Sequence, residues 1–94
     1  MTINEIKEKI TELLINKYPI SKVILFGSRA AGTEDENSDI DLILEFSASI
    51  SLLTLSSIKC ELEEALGVPV DVIHGPITKD DMIEIKNEVV LYAA

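Results

Sequence analysis

Two aspartates separated by one isoleucine open the apolar run DIDLILEF, Asp39 to Phe46. Alternation of this kind suits a β-strand, because side chains two residues apart leave a strand on the same face. Asp39, Asp41 and Ile43 then share one face, and Ile40, Leu42 and Leu44 share the other. The second face calls for a hydrophobic core. The first must hold two carboxylates side by side, and such charges repel and raise each other's pKa unless something positive lies between them. This one stretch therefore asks for a core on one side and a cation on the other.

The rest of the chain supplies material for that core. Thr2 followed by Glu5 forms a capping-box pattern, and Ile6, Ile10, Leu13 and Leu14 then recur at helical spacing until Pro19. KVILF, Lys22 to Phe26, is a short β-branched and apolar run bounded by Pro19 and Gly27, which predicts a buried strand. GSRAAG is expected to turn into a short helix ahead of the polar stretch TEDENS. From Ser51 to Leu66 the positions Leu55, Ile58, Leu62 and Leu66 repeat with a helical period, and Gly67 is placed to end that helix. VPVDVI, Val68 to Ile73, is a third strand on which Asp71 opposes Val70 and Val72. Thr78 is set to cap a last helix striped by Met82, Ile85 and Val89. The order α-β-α-β-α-β-α predicts an α/β (α+β) fold with a small mixed sheet flanked by helices, built as one domain over residues 1–94.

Charge narrows the chemistry. A formal net charge of -9 opposes a grip on a nucleic-acid backbone, which Lys and Arg drive by releasing counterions, and it favours cations or a basic partner. Cys60 is the single cysteine, so no internal disulfide forms, and MTINEIKEKI is charged where a signal peptide is apolar. A soluble, cytoplasmic protein with no membrane span is the expectation.

Magnesium fits the paired aspartates, because it takes oxygen ligands and is commonly held by one or two carboxylates together with substrate phosphates. Asp71 is the expected third ligand, since it interrupts a valine-rich strand where a charge is costly unless paired or metal-bound. Three such carboxylates on neighbouring strands suit two-metal phosphoryl transfer. The Gly27-Ser28 turn offers the other half of the site: glycine lets backbone approach a phosphate, Ser28 adds a hydroxyl and Arg29 a cation. It is not a Walker loop, because Thr33 and Glu34 stand where Lys and Ser or Thr belong.

Gly27-Ser28, ten intervening residues, Asp39-Ile40-Asp41 and then Asp71 on a later strand together resemble the nucleotidyltransferase superfamily that includes DNA polymerase beta. With GSRAAG and SDIDL near the start, the chain is similar to the minimal nucleotidyltransferases, often the antitoxin halves of pairs with a HEPN ribonuclease toxin. The resemblance covers roughly Val23 to Tyr92. It implies the nucleotidyltransferase fold, ATP as substrate and two magnesium ions bound by Asp39 and Asp41, with Asp71 on the nucleophile-side metal helping to deprotonate the attacking hydroxyl. It also implies that Gly27 and Ser28 hold the triphosphate, with Arg29 and Ser38 as further nucleotide-binding candidates. The implied activity is transfer of AMP to a tyrosine of the HEPN partner, silencing its RNase. Many members read GSRARG, and here Ala31 replaces the second arginine, removing one phosphate or acceptor contact.

Other residues have plainer readings. Ser38 also suits a turn cap before the strand. Glu34, Asp35 and Glu36 read as a solvated loop, Cys60 as a structural thiol among Glu61, Glu63 and Glu64, His74 as a loop imidazole, and Tyr18 and Tyr92 as packing residues. Two rival functions remain at this level: an antitoxin that neutralises by binding alone, its acidic surface docked on basic residues of the toxin, and a small-molecule nucleotidyltransferase of the aminoglycoside type.

Overall fold

Thr2 starts the first helix as its pattern requires. In the computed structural model, which describes residues 2–27, 32, 39–76 and 88–94, α1 spans Ile3–Leu14, and the Thr2 hydroxyl accepts the Glu5 N–H at 3.1 Å. That bond satisfies one of the orphan donors of the first turn. Ile6, Ile10 and Leu14 form the buried stripe, as the spacing predicts. The second described helix, α2, runs Leu52–Leu66; Ser51 caps it through the Thr54 N–H at 3.1 Å, and Gly67 closes it in the left-handed region at φ 73°. Ile58, Leu62 and Leu66 face inward, with Leu55 half-buried.

Among the described residues four strands make the sheet: β1 Ile20–Phe26, β2 Ile40–Phe46, β3 Val70–His74 and β4 Val89–Ala93, in spatial order β3-β2-β1-β4. β1 pairs antiparallel with both β2 and β4, while β2 and β3 run parallel, so the sheet is mixed as expected. A parallel pair needs a crossover, and α2 is that crossover. Val23, Leu25, Ile40, Leu42, Leu44, Val70 and Leu91 point from the sheet into one core with the stripes of α1 and α2. Most of these side chains are fully buried, and each contributes roughly 1.5–3 kcal/mol.

The elements differ from the sequence reading in four places, the first being β2, which begins at Ile40 and leaves Asp39 one residue ahead of it. β1 begins at Ile20, directly after Pro19. β3 begins at Val70, because Pro69, which has no N–H to give a ladder, stays in the turn after Gly67 and uses its carbonyl to accept the Ile40 N–H at 3.0 Å. Val89, expected on a helical stripe, lies on β4, where it pairs with Leu25. β-branched Val89 and Val90 complete the sheet beside β1, and pairing at the sheet edge wins over the three-to-four spacing shared with Met82 and Ile85. The short helix expected from GSRAAG and the body of the last helix, expected from its Thr78 cap onward, fall on residues 28–31 and 77–87, which lie outside the described residues.

Candidate active site

The period of the strand divides β2 between its two neighbourhoods. Leu42 and Leu44 are sealed in the core, while Asp41 emerges on the opposite face, half-buried, beside Ile43. Parallel pairing then places Asp71 of β3 directly in register with Asp41, and antiparallel pairing places Phe26 of β1 on its other side. Register partners share a face, so Asp41 and Asp71 project together from one end of the sheet, next to Gly27. The next row on this face is aliphatic across all four strands, Val90, Ile24, Ile43 and Ile73, with Ile24 and Ile43 buried. The carboxylates thus stand at the rim of an apolar floor.

Electrostatics follow from that placement. The Asp41 carboxyl is pushed above the ordinary carboxylate range, first by burial, then by the charge of Asp71 and a hydrogen-bonding contact with it, then by Asp39. The pair therefore lacks positive charge, which either a proton or a cation supplies. Asp39 is exposed and lies one residue ahead of the strand; its charge reaches Asp41. Among the described residues no three His, Cys, Asp or Glu side chains close on one point. The structure accordingly brings Asp41 and Asp71 together and leaves Asp39 beside them. Two carboxylates sharing one rung, with a third nearby, fit a hard divalent cation that keeps waters and phosphate oxygens in its other positions.

Gly27 has a role here that its motif did not disclose. Its φ of 80° is unfavourable for side-chain-bearing residues, and a Cβ built on it would collide with Oδ2 of Asp41. The missing side chain is the space that the Asp41 carboxylate occupies. Ser28, Arg29, Ala31 and Ser38 lie outside the described residues. His74 ends β3 on the core-side face and stacks against Phe46 at 5.2 Å between ring centroids, three rungs from the carboxylate pair. Cys60 is exposed on α2, and Tyr18 donates to Glu61 of that helix at 3.3 Å, a packing role as read. Of two hollows among the described residues, one lies between α1 and α2 and one beside Phe46 and His74; neither includes an aspartate. No helix among the described residues is long and apolar enough to cross a membrane.

Comparison with known proteins gives this arrangement a context. The family described as Polymerase beta, Nucleotidyltransferase matches residues 8–93. A Methanocaldococcus jannaschii protein that carries a provisional protein adenylyltransferase name is 46% identical over 88 residues, covering 88% of this chain and 92% of the relative. Among solved structures, a toxin-antitoxin with AMP-PNP superposes with a TM-score of 0.80 at 23% identity, over 94% of this chain and 73% of the other. A complex of tri-AMPylated Shewanella oneidensis HEPN toxin with MNT antitoxin gives 0.74 at 19% identity, over 97% and 72%. At those identities the structural likeness is one of fold.

Proposed function

The chain belongs to the polymerase beta nucleotidyltransferase family, and from that premise we propose that it transfers AMP from ATP to a tyrosine hydroxyl of a HEPN toxin and acts as that toxin's antitoxin. The observation that carries this reading is the shared rung of Asp41 and Asp71, two carboxylates in register on neighbouring strands, Asp71 exposed on β3. An enzyme that modifies a protein needs such access, because its acceptor arrives on another folded surface. The M. jannaschii relative's name and the AMPylated toxin in the Shewanella complex support the same acceptor class. The cytoplasm, where ATP and such a toxin would meet, is the proposed location.

Asp39, Asp41 and Asp71 would hold two magnesium ions. Bound there, the metal neutralises triphosphate charge and makes the acceptor hydroxyl easier to ionise. The chain's own residues do the rest. Asp71, exposed on the edge strand β3, takes the proton of the tyrosine hydroxyl. The oxygen attacks the α-phosphorus in line, the new O–P bond forms as the α–β bridging bond breaks, and pyrophosphate leaves. Asp41, held against Gly27, keeps the cation side of the reaction fixed. The turn at Gly27 would let backbone approach the triphosphate, and Ser28, Arg29 and Ser38 are the residues proposed to bind it.

The test uses the protein, its HEPN partner and Mg-ATP, with the partner weighed by intact-mass spectrometry. The proposal expects the partner to gain one or more AMP units with the wild type and none with an Asp39→Ala, Asp41→Ala double variant. Toxin inhibition that survives in the double variant with no mass change would favour an antitoxin that works by binding alone.

A further inference from the structure

α2 does more for the site than cross between strands. Glu63, in its last turn, is half-buried, and its Oε2 accepts the backbone N–H of Val70 at 3.1 Å. Val70 is the first residue of β3 and is fully buried. In a parallel pair, alternate residues bond to the two neighbours of their register partner, and the partner itself turns its N–H and C=O away. Ile40 is the register partner of Val70 and donates to Pro69, so the Val70 N–H is turned away from β2, toward the side of β3 on which no strand lies among the described residues. A buried N–H pointing away from the one strand that neighbours it among the described residues is costly to leave unmade. Glu63 makes it, with a charged acceptor.

The same residue also closes the helix, since the Glu63 carbonyl accepts the Gly67 N–H at 2.9 Å. Helix end, turn and strand start are thereby tied to one side chain and its own backbone. β2 holds the entry of β3 from one side through Pro69, and Glu63 holds it from the other. The next residue along is Asp71.

We propose that Glu63 is a positioning residue for the carboxylate pair: its bond to the Val70 amide sets where Asp71 stands against Asp41. The proposal rests on the reading of that pair as a cation site, and it concerns this chain's own geometry rather than the identity of the acceptor. What matters at position 63 is then an acceptor oxygen of the right reach. Charge alone does not serve, and neither does helix propensity.

The experiment compares wild type, Glu63→Gln and Glu63→Leu, with Glu64→Leu as an exposed neighbour on the same helix. Mn2+ uptake is followed by electron paramagnetic resonance, amide hydrogen exchange at Val70 and Asp71 by NMR, and folding by circular dichroism. Glu63→Leu is expected to weaken Mn2+ binding by about tenfold or more, the scale found when a group supporting a metal ligand is lost. Glu63→Gln, which keeps an acceptor oxygen, is expected to restore binding, and Glu64→Leu to leave it unchanged. Exchange at Val70 and Asp71 should quicken in Glu63→Leu alone. A folded Glu63→Leu protein that binds Mn2+ as the wild type does, or a Glu63→Gln protein impaired equally, would overturn the proposal. If the wild type takes up no Mn2+, the cation reading fails, and the amide exchange still decides Glu63: equal rates in all variants reject its role. A wild type that binds Mn2+ but transfers no AMP removes only the proposed acceptor chemistry.

Discussion

The two faces of β2 differ by a single residue step and by everything else. On one face Leu42 and Leu44 are sealed under α1 and α2, with no polar group to satisfy. On the other, Asp41 is half-buried against Asp71, at a cost that folding alone does not recover. A period of two lets one strand serve both ends, so stability and chemistry are separated in space while adjacent in sequence. Two like charges brought onto one rung are the expected mark of a place where a ligand is to be held.

Substitution tests that separation directly. Asp41→Asn should leave the circular dichroism spectrum intact and lower AMP transfer by about a thousandfold, because a charge-stabilising metal contact is worth roughly several kcal/mol and tenfold is 1.36. Initial rates of AMP incorporation measure it. Leu42→Ala should do the reverse, costing about 2–5 kcal/mol in urea unfolding while the folded fraction keeps its transfer rate. If Leu42→Ala were silent in unfolding and severe in catalysis, the division between the faces would be wrong.

Gly27 joins the two neighbourhoods, and Gly27→Ala should therefore register on both scales. The left-handed backbone at 27 costs a side-chain-bearing residue about 1–2 kcal/mol, and the added Cβ displaces the Asp41 carboxylate. Transfer should fall more than stability does. A variant in which only the melting temperature drops would reduce Gly27 to a turn residue.

A smaller effect sharpens the same contrast through pH. The folded-state pKa of Asp41 is raised, so the native state holds more protons than the unfolded one between the two pKa values, and stability declines as pH rises through that window. In chelator, Asp41→Asn should therefore melt slightly above the wild type at neutral pH, and its advantage should vanish in acid below the ordinary carboxylate range. An advantage that persists unchanged into acid would show that charge is not the cause. The smallest effect belongs to the exposed ion pair of Lys17 and Glu61, remote from both faces: Glu61→Gln should leave the melting curve where it was.

What could be read from the sequence follows the range of each interaction. The Thr2 cap and the Gly67 terminator are legible because each acts within one turn of its own helix. The alternation of β2 showed that Asp41 leaves the face opposite Leu42. That Asp71 lands on the same rung depends on parallel pairing across α2, and no local pattern states the register of strands so far apart. β4 was missed because Val89 satisfies a helical spacing as well as a strand, and only the edge of β1 decides between them. The role of Glu63 is invisible for a related reason: the sequence offers it only as one of three acids around Cys60, and the turn is what brings Val70 back to it.

Calorimetric titration of Mg2+ into the wild type, Asp41→Asn and Asp71→Asn proteins, each in the presence of a non-hydrolysable ATP analogue, tests the shared rung most directly. The account predicts saturable uptake by the wild type and its loss in either variant with the fold retained. Undiminished uptake in both variants would contradict it.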